Sequence, residues 1–333
     1  MTRHFHSFLA SHLEAFLELK QKLGYTSYAK NAFYIARDFD YCLFFFNHTS
    51  LQEIDEGLIL AWVHALRQRA AGTKNRKLYF ARAFFEYLFR LGLAKTNPAR
   101  RIPRLKTRPY KPYIYTLKEI ADILADARQP SHHRRFRLLS PTLETALFLI
   151  YACGLRLGEA LRLKIQDVNF EDNTLALWNT KFRKERLVPF SPAVARKLQI
   201  YLSLRTQGYP PAGPEAPFFC HAKGRYHTGT VELYFRQILV RCGLGKPTGK
   251  GGPRIHDLRH SFAVHRLYKW YQEGRDLLNK LPLLSTYMGH TQIDHTQVYL
   301  TITTALLREG DRRFSSAFED LARKPLKRVF KAL

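Results

Sequence analysis

"DVNFEDNTLALWNTKFRKERLVPF", residues 167–190, is the stretch on which the reading of the fold turns. Apolar and polar residues alternate along it and β-branched residues recur, which is the period of half-buried strands. It predicts a hairpin or a small three-stranded antiparallel sheet. On either side the period becomes helical. Upstream stand "TLKEIADILADAR" (116–128) and "SPTLETALFLIYACGLRLGEALRL" (140–163). Downstream, "SPAVARKLQIYLSL" (191–204) opens a run of helices expected to continue to the end. One small sheet inside a mainly α domain is therefore the expectation.

The first 95 residues carry no strand signal. "FHSFLASHLEAFLELKQKL" (5–23), "NAFYIARDFDYCLFFFNH" (31–48), "EIDEGLILAWVHALRQRA" (53–70) and "TKNRKLYFARAFFEYLFRLGL" (73–93) place apolar residues at helical spacing. Ser50 and Thr73 read as helix caps. This is a helical bundle. Then comes "KTNPARRIPRLKTRPYKPYIYT" (95–116), with four prolines, many basic residues and no period, which reads as an extended linker. The expected organisation is a helical bundle over 1–95, a basic Pro-rich linker over 96–115, and a mostly helical domain over 116–333 that ends in a tail.

The chain of 333 residues holds 54 Lys and Arg against 27 Asp and Glu, a formal net charge of +27. Residues 1–110 contribute +10 of it, so both halves are basic. A polyanion touching both halves accounts for that spread, and nucleic acid is the usual one, because Lys and Arg displace its condensed counterions. Between Thr73 and Lys111 there are twelve basic residues and one acid, Glu86. Lys74, Arg76, Lys77, Arg100, Arg101, Arg104, Lys106 and Arg108 thus form a strip suited to tracking a phosphate backbone. The amino terminus lacks the apolar run of a signal peptide, and "LLSPTLETALFLIYACGL" (138–155) is broken by Pro141, Glu144 and Thr145. Cys42, Cys153, Cys220 and Cys242 are scattered, without a CxxC pair, which suits reduced thiols in a cytoplasm. No membrane partner is expected.

Four short segments of the second half carry chemistry. In "YACGLRLGEALRL" (151–163), Arg156 stands in an apolar run with Glu159 one helical turn on, a guanidinium held by a carboxylate and aimed at an anion. "NTKFRKERLVPF" (179–190) brings Lys181 near a turn. In "IHDLRHSFA" (255–263), His256 and Arg259 share a helical face. His256 and His260 are also spaced i,i+4, but the Glu of HExxH and a third ligand are missing, so no metal is expected. "YMGHTQIDHTQVYLT" (287–301) adds His290 and, nine residues later, Tyr299.

Taken in order, Arg, Lys, His-x-x-Arg, His and Tyr resemble the tyrosine recombinase family, the phage-integrase and Xer-like strand-exchange enzymes. The resemblance spans roughly 116–310 by motif, and the helical bundle is similar to the family's SAM-like core-binding domain by position and size. It implies Arg156, Lys181, His256, Arg259 and His290 as catalytic residues around the nucleophile Tyr299, with Glu159 in support. The turn here is Phe182-Arg183 where many relatives have a Gly-Asn-like one, so either Lys181 or Lys184 reaches the site. Arg259 and His290 are also further apart than in compact Xer-type members, a spacing reminiscent of mobile-element recombinases. The implied activity is site-specific cleavage and rejoining of double-stranded DNA through a covalent 3′-phosphotyrosyl intermediate, for integration, excision or transposition of a mobile element. Xer-type chromosome-dimer resolution and type IB topoisomerase-like relaxation are the alternatives. A tetramer on DNA, a partner recombinase or accessory protein, and a nucleoid-associated cytoplasmic place in a prokaryote are further implications. No cofactor is called for.

Overall fold

The computed structural model describes residues 5–65, 70–107, 111–129, 138–178, 185–245, 252–289 and 299–300. The chain divides into two compact units, Met1–Tyr110 and Lys111–Leu333. Eleven α-helices and five short strands occur among the described residues.

The first unit is built from α1 (Ala10–Lys22), α2 (Thr26–Phe45), α3 (Glu56–His64) and α4 (Ala71–Arg90). Their apolar stripes meet in one core, where Phe16, Phe39, Phe80, Phe84 and Phe85 are fully buried. Phe16 meets Phe80 and Phe84 edge-on, the arrangement that ring quadrupoles favour. Buried Asp40 accepts hydrogen bonds from the backbone N–H groups of His6 and Ser7, at 2.8 and 2.9 Å, tying the entering chain to α2. The caps differ from expectation. Asp55 caps α3 through the N–H of Leu58 (2.7 Å), while Ser50 precedes a single 3₁₀ turn and Thr73 lies inside α4. Ser50 thus holds the N-cap position of that turn without a side-chain capping bond, and α4 starts two residues before Thr73. In the stretch read as a linker, Ala99 and Ile102 are buried in this same core. The Asn75 side chain pairs with both backbone groups of Leu105 at 2.9 Å.

The second unit gathers around α6 (Leu139–Ala152), which is buried almost all round. α5 (Leu117–Ala127), α7 (Leu157–Arg162), α8 (Pro192–Gly208) and α10 (Ile255–Gln272) pack against it. Thr116 and Glu119 close a capping box on α5. The expected sheet is present as β1 (Val168–Asn169), β2 (Thr174–Leu177) and β3 (Arg186–Pro189), antiparallel in that order. Val168 pairs with Leu175 and Leu175 with Val188, and all three are buried on the core side. A second ribbon, β4 (Cys220–His221) with β5 (Gly224–Arg225), was not foreseen, because two residues per strand leave no period to read. α9 (Thr228–Arg241) closes the core. α10 and α11 (Leu277–Met288) build a satellite apolar cluster that includes Tyr299. Gly289 ends α11 in the left-handed region, at φ +66°.

Candidate active site

The site forms where the head of α7, the first turns of α10, β3 and the end of α11 converge on one carboxylate. Glu159, on α7, is buried. It accepts from Arg156 Nη1 at 2.7 Å and from the Arg156 N–H at 2.9 Å. Arg186, on β3, donates to both its oxygens, at 3.2 and 2.9 Å. Arg259, on α10, stands 3.8 Å away. Burial would raise the Glu159 carboxyl, but the hydrogen bond and charge of Arg186, the Arg156 N–H and the charge of Arg259 outweigh it and hold it at about 2. The carboxylate is charged, and three guanidinium groups are oriented by it.

The glycines explain how cations fit so tightly. Arg259, 1% exposed, donates to the carbonyls of Gly154 and Met288, both at 2.5 Å. Arg156 donates to the carbonyl of Gly289 at 3.0 Å. Gly154 and Gly289 both have positive φ, and a Cβ would lie 2.5 Å from the Phe262 ring at the first and 2.7 Å from an Arg186 nitrogen at the second. Only glycine lets the backbone turn its carbonyls toward the guanidinium groups here. Burial, followed by the charge of Arg156, brings Arg259 down to about 9, which leaves it cationic at neutral pH. Arg156 keeps 23% of its side chain open to solvent and is the more accessible of the two.

Tyr299 is 2% exposed. Its hydroxyl is 2.7 Å from Nδ1 of His260. Burial pushes the phenol up to about 12, while Arg259 and Arg156 pull the other way and lose. In the resting protein the tyrosine is therefore protonated, because desolvation outweighs the pull of its cationic neighbours. One turn earlier on α10, the His256 ring meets the His260 ring edge-on at 4.7 Å. Packed surroundings, and after them the charges of His260, Arg259 and Arg156, hold His256 down at about 3. The direction is the same for both causes: a neutral imidazole.

Arg156, Glu159, His256, Arg259 and Tyr299 are thus brought together. Lys181, Lys184, His290 and Arg108 lie outside the described residues. Tyr287, the other tyrosine near the last motif, turns its hydroxyl to the Pro189 carbonyl (3.2 Å) and stacks its ring on Phe262. Two members of the site were missed. Arg186 had no local signal, because its partner Glu159 is 27 residues away. His260 was weighed only as a metal ligand. Among the described residues no group of three His, Cys, Asp or Glu gathers as a metal site.

In the basic strip, Arg76, Arg100, Arg101, Arg104 and Lys106 are exposed, and Lys74 is half-buried beside His64 (3.4 Å). Arg104 lies over the Tyr79 ring at 4.4 Å. Lys77 does not belong to the strip. Its ammonium is buried, 2.6 Å from Asp38 and 3.2 Å from the Trp62 carbonyl, because the helical period turns position 77 inward. Among the described residues no helix is long and apolar enough to cross a membrane.

The chain is 33% identical to "Putative integrase/recombinase y4rB" of Sinorhizobium fredii, over 79% of this chain and 84% of that one. It is 32% identical to "Putative integrase/recombinase y4rE" of the same organism, over 93% and 96%. In fold it is similar to the XerH site-specific recombinase solved on palindromic difH substrate, with a TM-score of 0.64 at 18% identity, covering 84% of this chain and 78% of that one. The model of the phage integrase family matches residues 115–305, and with relatives of this identity along most of its length the chain belongs to that family of tyrosine recombinases.

Proposed function

We propose that this protein cleaves and rejoins double-stranded DNA at a specific site, with Tyr299 as the nucleophile, to move a mobile element. The observation that carries the reading is the convergence of Arg156 and Arg259 on one buried carboxylate, beside a buried tyrosine whose hydroxyl is already hydrogen-bonded. A phosphodiester repels nucleophiles with its own charge. Each guanidinium has five N–H donors, so Arg156 and Arg259 keep donors to spare for the non-bridging oxygens after their carbonyl bonds are made. They stabilise the charge that grows in the transition state. Neutral His256, with His290, donates to the same oxygens.

Attack by the Tyr299 oxygen on phosphorus forms a 3′-phosphotyrosyl bond and expels the 5′-oxygen, which takes a proton from Lys181 or Lys184. The covalent bond retains the energy of the one broken, so a second 5′-hydroxyl can attack it and exchange strands without ATP. The exposed arginines of 100–104, with Lys106, serve the phosphate backbone, and the first unit acts as a core-binding domain. Recombination between two sites needs four such subunits on DNA, with a partner recombinase or accessory protein where the site is asymmetric. The working place is the nucleoid of a prokaryotic cytoplasm. Resolution of chromosome dimers is the alternative role of the same chemistry.

Tyr299→Phe tests the reading. On a substrate nicked near the cleavage point, the wild type is expected to become trapped on DNA in denaturing gels. The Phe variant is expected to bind but give no adduct. Trapping of the Phe variant would remove Tyr299 from its role.

A further inference from the structure

Burial holds the Tyr299 phenol in its protonated form, so the hydroxyl has to lose a proton as it attacks. Nδ1 of His260 lies within hydrogen-bond distance of it, at 2.7 Å, with the two rings 5.5 Å apart between centroids. We infer that His260 is the proton acceptor for Tyr299, a role distinct from that of His256; the inference rests on Tyr299 being the nucleophile.

The geometry separates the two histidines. They lie one turn apart on α10 and touch edge-on, at 4.7 Å between ring centroids. His256 has an open surface from which to meet the phosphate, whereas His260 reaches Tyr299. Burial, then the charges of Arg259 and Arg254, hold His260 down at about 4. It is therefore neutral, and a neutral imidazole whose Nδ1 faces a hydroxyl can accept, with its own proton on Nε2. Around the pair stand His256, Asp257 and Arg259 of α10, Arg254 just ahead of it, and Arg156 at the head of α7.

The step balances. The Tyr299 O–H bond breaks and its proton goes to Nδ1 of His260. The tyrosine oxygen bonds to phosphorus, the bond to the 5′-oxygen breaks, and the hairpin lysine supplies that oxygen with a proton. His260 becomes an imidazolium between Arg259 and Tyr299, a charge that the incoming phosphate compensates. In religation the imidazolium returns the proton to the tyrosine oxygen.

The experiment uses the full chain and the nicked substrate, and reads the rate of adduct formation. His260→Asn retains an acceptor that can hold the hydroxyl but cannot take its proton. DNA affinity is expected to stay within about threefold, while adduct formation falls by about 10²–10³, the usual range for a lost general base. The wild-type rate should be nearly flat from pH 6 to 9. The Asn variant should climb about tenfold per pH unit, because it must wait for free phenolate. Replacing Tyr299 by a ring-fluorinated tyrosine, whose phenol is more acidic, should restore most of the lost rate in the Asn variant and change the wild type little. A residue that only packed against Tyr299 would show neither the pH slope nor the rescue. A near-wild-type rate for His260→Asn, or a defect that fluorination leaves untouched, overturns the inference while Tyr299 stands. An adduct formed by Tyr299→Phe overturns the reading of the nucleophile itself, and the inference with it.

Discussion

Replacing Glu159 by Gln removes one charge and keeps the shape. Its carboxylate accepts four hydrogen bonds, two from Arg186 and two from Arg156, with Arg259 3.8 Å away. The amide can accept at one end only, and its NH₂ group must face a guanidinium. The lowering of the Glu159 carboxyl from 4.5 to about 2 corresponds to about 3 kcal/mol in favour of the charged form. That agrees with the roughly 3–5 kcal/mol lost when one partner of a buried ion pair is removed. The folded value lies below the unfolded one, so this stability is complete above about pH 5 and disappears as the pH falls through the folded value. At pH 3 about 2 of those 3 kcal/mol should be gone. Urea unfolding of the second unit, followed by circular dichroism at pH 7 and pH 3, measures both numbers. The expected gap between wild type and Glu159→Gln is about 3 kcal/mol at pH 7 and about 1 kcal/mol at pH 3. A gap under 1 kcal/mol at pH 7, or one of equal size at both, would show that the carboxylate does not hold the arginines by its charge.

Arg186→Ala should bind DNA within a few-fold of wild type yet form adduct at least tenfold more slowly, because Glu159 loses two donors and the β3 strand its tie to the Tyr287 carbonyl (3.0 Å); equal rates in the trapping assay would refute this. Replacing Arg100, Arg101 and Arg104 by Ala should flatten the dependence of log affinity on log salt by about 3, at about 0.9 per phosphate contact, measured by fluorescence anisotropy. An unchanged slope would place these residues off the DNA. For the hairpin lysine, a 5′-bridging sulfur leaves without a proton, so it should rescue the alanine variant of whichever lysine is the acid. Rescue of Lys181→Ala assigns the acid to 181 and rescue of Lys184→Ala to 184, while failure of both sends the search to His256 and His290.

Local pattern made much of this protein legible. The 3.6-residue period marked both helical regions, and the alternation in 167–190 marked the three strands, because each signal lies within one element and faces one core. The motif residues Arg156, Glu159, His256, Arg259 and Tyr299 could be picked from sequence because their order along the chain resembles a known family. What could not be read depends on partners distant in sequence. The pairing of Arg186 with Glu159 spans 27 positions and that of His260 with Tyr299 spans 39. Lys77 counted as a surface cation until packing turned it onto Asp38. Protonation states belong to the same class. The motif order put a tyrosine with cations, and charge alone favours its phenolate. Only the fold buries that hydroxyl, and desolvation then outweighs the neighbouring arginines and leaves the proton in place for another residue to remove.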